Sequence, residues 1–178
     1  MRRARGKSLG TLQLVGDDVG VVTLRRLEAS DAEWIFEACQ DADIQRWTLV
    51  PRPYLRENAE SFVREGVGEL STWAIVDDDD ARPIGMISIH AINDGVASIG
   101  YWVAPWGRGR GAASAAVRRV VEMARAMGAN SVTADVAEAN VASRRTVERC
   151  GFTVASIEPL VCRDNGVAVD ALRYRLDL

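Results

Sequence analysis

The sequence predicts a single mixed α/β (α+β) domain. A strand-rich meander lies in the middle of the chain, amphipathic helical stretches flank it, and strands alternate with helices toward the C-terminus. Such an order packs helices on one mixed sheet. The 178 residues suffice for one core, and 48% hydrophobic with 26% charged residues exclude a disordered or collagen-like chain.

The elements follow in order. Residues 1–10 read as a loose basic tail, and 11–178 as the domain. Gly16-Asp17-Asp18 reads as a hairpin turn between Thr11–Val15 and a strand at Val21–Leu27. Ser30-Asp31-Ala32-Glu33 has the form of a capping box, and Trp34, Ile35, Ala38 and Cys39 follow at helical spacing. Pro51 and Pro53 break the chain before a second helix from about Arg56 to Glu69. Thr72–Val76, Ile84–Ile92 and Ala97–Val103 read as three strands of an antiparallel meander, with Asn93-Asp94-Gly95 as a turn. A glycine-rich loop opens a helix reaching Met127, with Gly128 as its stop. Val132–Val136 is a strand, Asn140–Cys150 a helix, and Phe152–Ile157 and Val167–Leu176 are strands. The predicted order is β, α, α, β, β, β, α, β, α, β, β.

Composition narrows the function. The net charge of −3 argues against a nucleic-acid binder driven by bulk charge. Arg2, Arg3, Arg5 and Lys7 carry four positive charges, so −7 falls on the rest, with Asp77-Asp78-Asp79-Asp80 as one acidic spot that reads as a solvated turn. No apolar run reaches the ~18 residues of a membrane span, and the basic start lacks a signal-peptide apolar stretch, so a cytoplasmic protein is expected. Cys39, Cys150 and Cys162 are odd in number and widely spaced, and His90 is the only histidine. Neither a disulfide framework nor a Cys- or His-rich metal site is expected.

The chemistry concentrates at Trp102-Val103-Ala104-Pro105-Trp106-Gly107-Arg108-Gly109-Arg110-Gly111-Ala112-Ala113-Ser114. Glycines let backbone approach a ligand, and the unpaired first N–H groups of a helix attract anions. Arg108 and Arg110 add positive charge. This is an anion cradle by composition. It is not a Walker loop, because no Gly-Lys-Ser/Thr follows, and its glycine spacing departs from the dinucleotide fingerprint.

Arg108-Gly109-Arg110-Gly111-Ala112-Ala113 resembles the [Gln/Arg]-x-x-Gly-x-[Gly/Ala] loop of the GNAT superfamily of acyl-CoA-dependent N-acyltransferases. Asn140-Val141-Ala142-Ser143 followed by Cys150-Gly151-Phe152 is similar to the same family's N-x-x-S…G-F segment, though Asn140 and Ser143 equally fit plain helix capping. Leu24-Arg25-Arg26-Leu27, Asp43-Ile44-Gln45-Arg46-Trp47 and Ile99-Gly100-Tyr101-Trp102 resemble its Rim-type branch, named for enzymes that acetylate ribosomal-protein N-termini. The resemblance spans about residues 18–178 and implies a mostly antiparallel sheet of about six to seven strands, about four helices and splayed central strands.

What the resemblance implies for the site is specific. Acetyl-CoA would lie between the splayed strands, its pantetheine on the backbone of Trp102, Val103 and Ala104 and its pyrophosphate on Gly109 to Ser114. Asn140 would bind the pantetheine arm or the reaction centre. The amine would attack directly, with Ser143 on the thiol side. Glutamates common in the branch are absent: Ser98 precedes Ile99, and Gly151-Phe152 is followed by Thr153-Val154. Glu158 or His90 is left to take the amine's proton. Acceptor recognition is expected from residues 30–70, with Trp47 and Tyr54, and from a loop at Pro159–Gly166. The expected acceptor is a primary amine, either a protein N-terminus or a small cationic amine; nucleic acid, membrane and metal are not expected. A monomer or homodimer is compatible. A non-catalytic acyl-CoA-binding module, a succinyl-CoA enzyme and a dinucleotide oxidoreductase remain as alternatives.

Overall fold

The computed structural model describes residues 22–65 and 70–178. The expected tail, the strand at 11–15, the turn at 16–18 and the end of the helix at 66–69 lie outside these residues. Among the described residues, seven strands form one sheet in the order β1-β2-β3-β4-β5-β7-β6. They are β1 Val22–Arg26, β2 Ser71–Asp77, β3 Pro83–Asn93, β4 Val96–Val103, β5 Ser131–Ala137, β6 Thr153–Asp164 and β7 Val167–Asp177. All neighbours are antiparallel except β4 and β5.

That exception creates the cleft. β4 and β5 pair only at Val96↔Ser131, Ala97↔Val132 and Ser98↔Thr133. Beyond Ser98 the two strands part, so the Ile99–Val103 edge of β4 has no ladder partner on that side. The expected splayed centre is present.

Among the described residues five α-helices cover the sheet: α1 Ala32–Ala38, α2 Ala42–Trp47, α3 Arg56–Glu65, α4 Ala112–Ala126 and α5 Val141–Arg149. While Met127 just past its end is exposed, α4 buries Ala112, Ala116, Val117, Val120, Val121 and Ala124 along one apolar face. These residues join Ile87, Ile89, Val132 and Val147 in the larger core. On the opposite face Ile35, Ala38, Ile44 and Ala59 pack with Met86 and Ala104 in a second core. Gly128, at φ 93, follows the last turn of α4 as expected.

Three expectations need correction. The first helix is not capped by Ser30. A 3-10 turn at Ala29–Asp31 precedes it, and the buried Asp31 carboxylate accepts from the Glu28 backbone N–H at 2.7 Å. The second correction is α2, an unpredicted helix. Asp41 caps it, accepting from Asp43 N at 3.1 Å and Ile44 N at 3.0 Å, and six residues are too few to leave a periodic signal. Third, the expected loop at Pro159–Gly166 is mostly strand. β6 continues to Asp164, and an irregularity between Glu158 and Cys162 absorbs Pro159, which has no N–H for the ladder.

Candidate active site

The splay opens into a cleft of about 1410 Å³ that reaches from the glycine loop to α2 and the end of β6. That exceeds the usual small-molecule pocket of roughly 300–1,000 Å³ and leaves room for a long co-substrate and an acceptor.

At one end lies the start of α4. Gly109 and Gly111 both hold left-handed backbone, φ 80 and 76, which side chains disfavour. Gly111 is the N-cap and brings no side-chain cap, while Ala112, Ala113 and Ser114 line the cleft. The first-turn amides are therefore left for a ligand, and with the helix dipole they favour an anion. The arginines are placed differently from the expectation that they add charge to this cradle. Arg108 pairs with Asp41 and Asp43, the latter at 3.3 Å. Arg110 pairs with Asp77 at 2.6 Å and donates to the Trp106 carbonyl at 2.8 Å. The backbone, not the guanidinium groups, is what the loop offers. These residues fit the pyrophosphate of acetyl-CoA: an uncapped helix start opens on the cleft, and a Cβ built on Gly109 meets nothing within 4 Å.

β4 supplies the adjoining wall. Trp102 and Val103 line the cleft; Trp102 lies against Trp34, ring centroids 5.7 Å apart. Ala104 is buried, and its N–H donates to Ile84 O at 2.8 Å.

α5 closes the far side of the splay. Asn140 caps it, accepting from Ser143 N at 3.1 Å, so the capping reading holds for its carboxamide oxygen while the residue also lines the cleft. Tyr174 O–H donates to Glu148 at 2.6 Å and accepts from Arg144 at 3.2 Å, which pins α5 to β7. Ser143 Oγ lies 3.0 Å from the Tyr101 hydroxyl, which also reaches the Ser143 carbonyl at 3.2 Å. Burial pushes the Tyr101 phenol up to about 12. It stays protonated at neutral pH and can donate to the Ser143 carbonyl, and either hydroxyl can be the donor between Tyr101 and Ser143. Tyr101 was not foreseen as a site residue; its strand position gave no sign of a partner in α5.

His90 and Glu158, the two proton-acceptor expectations, part company. His90 follows Met86 and Ser88 on one face of β3 and lines the cleft. It is the extra residue of a β-bulge, because Ile89 pairs with Ile99 but Ala91 with Ser98. Its imidazole lies over Gly100 and leaves no room there for a Cβ. Glu158 is not among the lining residues; it accepts from Ser156 at 2.7 Å and pairs with Arg173 at 3.1 Å. The cleft carboxylate on that side is Asp135, unforeseen in the sequence and held by two of the Arg173 guanidinium nitrogens at 2.8 Å.

At the acceptor end Trp47 lines the cleft beneath the Arg46 guanidinium, 4.3 Å from its ring. Tyr54 is 6% exposed and belongs to the second core while edging the cleft. Burial raises the thiols of Cys39, Cys150 and Cys162, to about 12 for Cys39, so none is poised as a thiolate. Among the described residues no cluster of three His, Cys, Asp or Glu is placed to hold a metal, and no helix is long and apolar enough to cross a membrane.

A parted strand pair that leads to an uncapped, glycine-opened helix defines a site for a long acyl donor and an amine, that of an acyl-CoA-dependent N-acyltransferase. The family described as Acetyltransferase (GNAT) domain matches residues 22–153, and the chain belongs to it. The Bacillus subtilis protein YdaF, provisionally named a ribosomal N-acetyltransferase, is 30% identical over 179 residues, covering 87% of this chain and 90% of its own. In fold, the chain is similar to RimL, a ribosomal L7/L12 α-N-protein acetyltransferase solved with coenzyme A, at TM-score 0.78 and 20% identity over 88% of this chain and 94% of that one. It is also similar to the microcin C7 self-immunity acetyltransferase MccE, solved with acetyl-CoA and AMP, at TM-score 0.77 and 19% identity over 88% and 92%.

Proposed function

We propose that the protein transfers the acetyl group of acetyl-CoA to a primary amine, in the first instance the α-amino terminus of a polypeptide, within a ternary complex. The observation that carries this reading is the Ser143–Tyr101 hydroxyl pair, which faces the gap between β4 and β5. Acetyl-CoA supplies an activated acetyl thioester, and amide formation with C–S cleavage leaves one proton to remove from the amine and one to give to the sulfur.

The chain's residues divide that work. The amides of Ala112 to Ser114 and the left-handed backbone at Gly109 and Gly111 hold the pyrophosphate. Trp102 and Val103 present backbone to the pantetheine arm, and Asn140 steadies it at α5. Ser143, held by the Tyr101 hydroxyl, donates a hydrogen bond toward the sulfur position. His90, facing the cleft from the bulge, accepts the amine's proton directly or through water. Trp47 flanks the acceptor.

Charge favours a singly charged acceptor over a polyamine. The cleft carboxylates Asp43, Glu65 and Asp135 each already pair with an arginine, at 3.3, 2.8 and 2.8 Å. A polycation would have to displace those pairs. The B. subtilis relative's name points to a protein acceptor as well, and a cytoplasmic setting, where acetyl-CoA meets new polypeptides, suits it.

The test is mass spectrometry of lysine-free peptides incubated with enzyme and acetyl-CoA or succinyl-CoA. A mass gain of one acetyl group at the α-amine, with release of CoA, is expected. Acetylation of spermidine but not of peptides would overturn the acceptor, and transfer from succinyl-CoA alone would overturn the acyl group.

A further inference from the structure

Where β4 and β5 part, the two faces of the sheet carry different groups. Directly paired residues share a face, so Ser98↔Thr133, the last β4–β5 pair, sets Thr133 on the face of Ser98. Two residues further on, Gly100 and Asp135 stand on that same face across the gap. The His90 imidazole lies over Gly100, so His90 and Asp135 line the cleft from opposite banks of the splay. Tyr101 alternates to the other face, where it meets Ser143 and packs on the larger core with Val147 of α5. The hydroxyls that serve the sulfur and the His90–Asp135 side of the gap are thus separated by the sheet.

The Asp135 carboxylate is held but not neutralised. Arg173 Nε and Nη2 each reach one of its oxygens at 2.8 Å, and Nη1 reaches Glu158 at 3.1 Å. Two carboxylates share one guanidinium, which leaves one negative charge. The groups around them do not cancel it. Burial and then the Asp135 charge raise the Cys162 thiol, which stays neutral. Arg163 is turned to the carbonyls of Leu160 and Cys162, at 3.3 and 3.0 Å, and Asp164 pairs with Arg46 at 2.6 Å. Of the two carboxylates that share Arg173, only Asp135 lines the cleft. Each of its oxygens keeps a free lone pair beside the Arg173 bond.

We infer that Asp135 docks the acceptor as its ammonium ion, which supplies the positive charge that the shared Arg173 lacks and sits across the splay from His90. The inference rests on the acetyl transfer proposed above. One ammonium balances the one charge with the Arg173 bonds intact, which suits an α-amine. The docked ammonium gives one proton to His90 and on to water. The neutral amine then forms the C–N bond as the C–S bond breaks, and the proton it sheds balances the one that the sulfur takes up.

The experiment is initial-rate kinetics of the full chain, with acetyl-CoA and a lysine-free peptide as acceptor, on wild type and three variants. Asp135→Asn keeps the shape and leaves Arg173 paired with Glu158. The acceptor KM is expected to rise about tenfold, with kcat and the acetyl-CoA KM within about twofold of wild type. Glu158→Gln lies outside the cleft lining, gives Arg173 to Asp135 alone and is expected to raise the acceptor KM about threefold. Arg173→Gln uncovers the charge and is expected to lower the acceptor KM about threefold. A merely structural role would move all three in one direction. An acceptor KM unmoved by Asp135→Asn, or raised by Arg173→Gln as by Asp135→Asn, overturns the role of Asp135. The same opposed shifts in the KM of spermidine, with no transfer to peptides, would uphold Asp135 and overturn the peptide acceptor alone. No transfer to any amine by a protein that binds acetyl-CoA overturns the reaction, and the docking role with it.

Discussion

The wall of the cleft built from β4, β5 and α4 is packed core with backbone left over. The wall built from α2, the segment after it and the β6–β7 hairpin is joined by arginine–carboxylate pairs at the surface. In the first, Ala112, Ala116, Val117 and Val120 are at most 4% exposed, and they fix where the α4 amides point. In the second, Arg46 is 47% exposed in its side chain and meets a partner 118 residues away. The difference is one of what holds each wall: packing fixes the donor side, and surface pairs fix the acceptor side. Shifting the first wall costs buried apolar area, whereas exposed ion pairs contribute little to stability and change freely.

Five substitutions sharpen the contrast. The largest effect is expected from Gly111→Glu, which forces a side chain into left-handed backbone and sets a carboxylate where the pyrophosphate lies. Acetyl-CoA affinity should fall about a hundredfold or more by calorimetry, in a protein that still folds.

Asp31→Ala probes the frame under the acceptor wall. Asp31 holds Arg25 through two bonds of 2.7 Å and accepts from Trp34 at 2.6 Å. Its loss should cost about 2–3 kcal/mol in chemical denaturation, since the carboxylate is buried while Arg25 remains 31% exposed. Burial pushes the Asp31 carboxyl up, but the Arg25 guanidinium, the Glu28 amide and the Trp34 indole outweigh it and hold it below the usual range. The folded value lies below the unfolded one, so this stability is complete above the ordinary aspartate range of about 4 and is lost as pH falls through the folded value. Wild type and variant should therefore converge in acid, and their gap should stay constant through neutral pH.

At the reaction centre, Ser143→Ala should lower kcat about 10- to 100-fold with acetyl-CoA affinity nearly kept. Tyr101→Phe, which removes the hydroxyl that meets both the Ser143 Oγ and the Ser143 carbonyl, should lower kcat about fivefold. Equal kcat for Ser143→Ala and wild type would leave Ser143 as part of the α5 start alone. The smallest effect is expected from Asp164→Asn on the unfolding midpoint, which should stay at its wild-type value because the pair it breaks is exposed.

The same contrast decided what the sequence could reveal. The meander, α4 and the cradle were legible because each writes a local pattern: alternation, a 3.6-residue stripe, glycines before a helix. Asn140 and Ser143 were legible as a spaced pair. The six-residue α2 escaped for want of a period, and the far half of β6 escaped because the ladder bends around Pro159 there. The Tyr101–Ser143 contact and the Arg46–Asp164 pair leave no mark at any fixed spacing, since folding alone brings them together. Glu158 was chosen by its place after Gly151-Phe152, but its strand turns it to Arg173 while Asp135 faces the cleft.

The most direct test of the central claim is calorimetric titration of the protein with acetyl-CoA, with CoA and succinyl-CoA beside it and NAD as control. One site of about micromolar affinity for acetyl-CoA, lost in Gly111→Glu, with no heat from NAD, is the predicted result. A folded protein that gives no heat with acetyl-CoA, or one that binds it equally well with Gly111→Glu, would contradict the assignment of the α4 cradle.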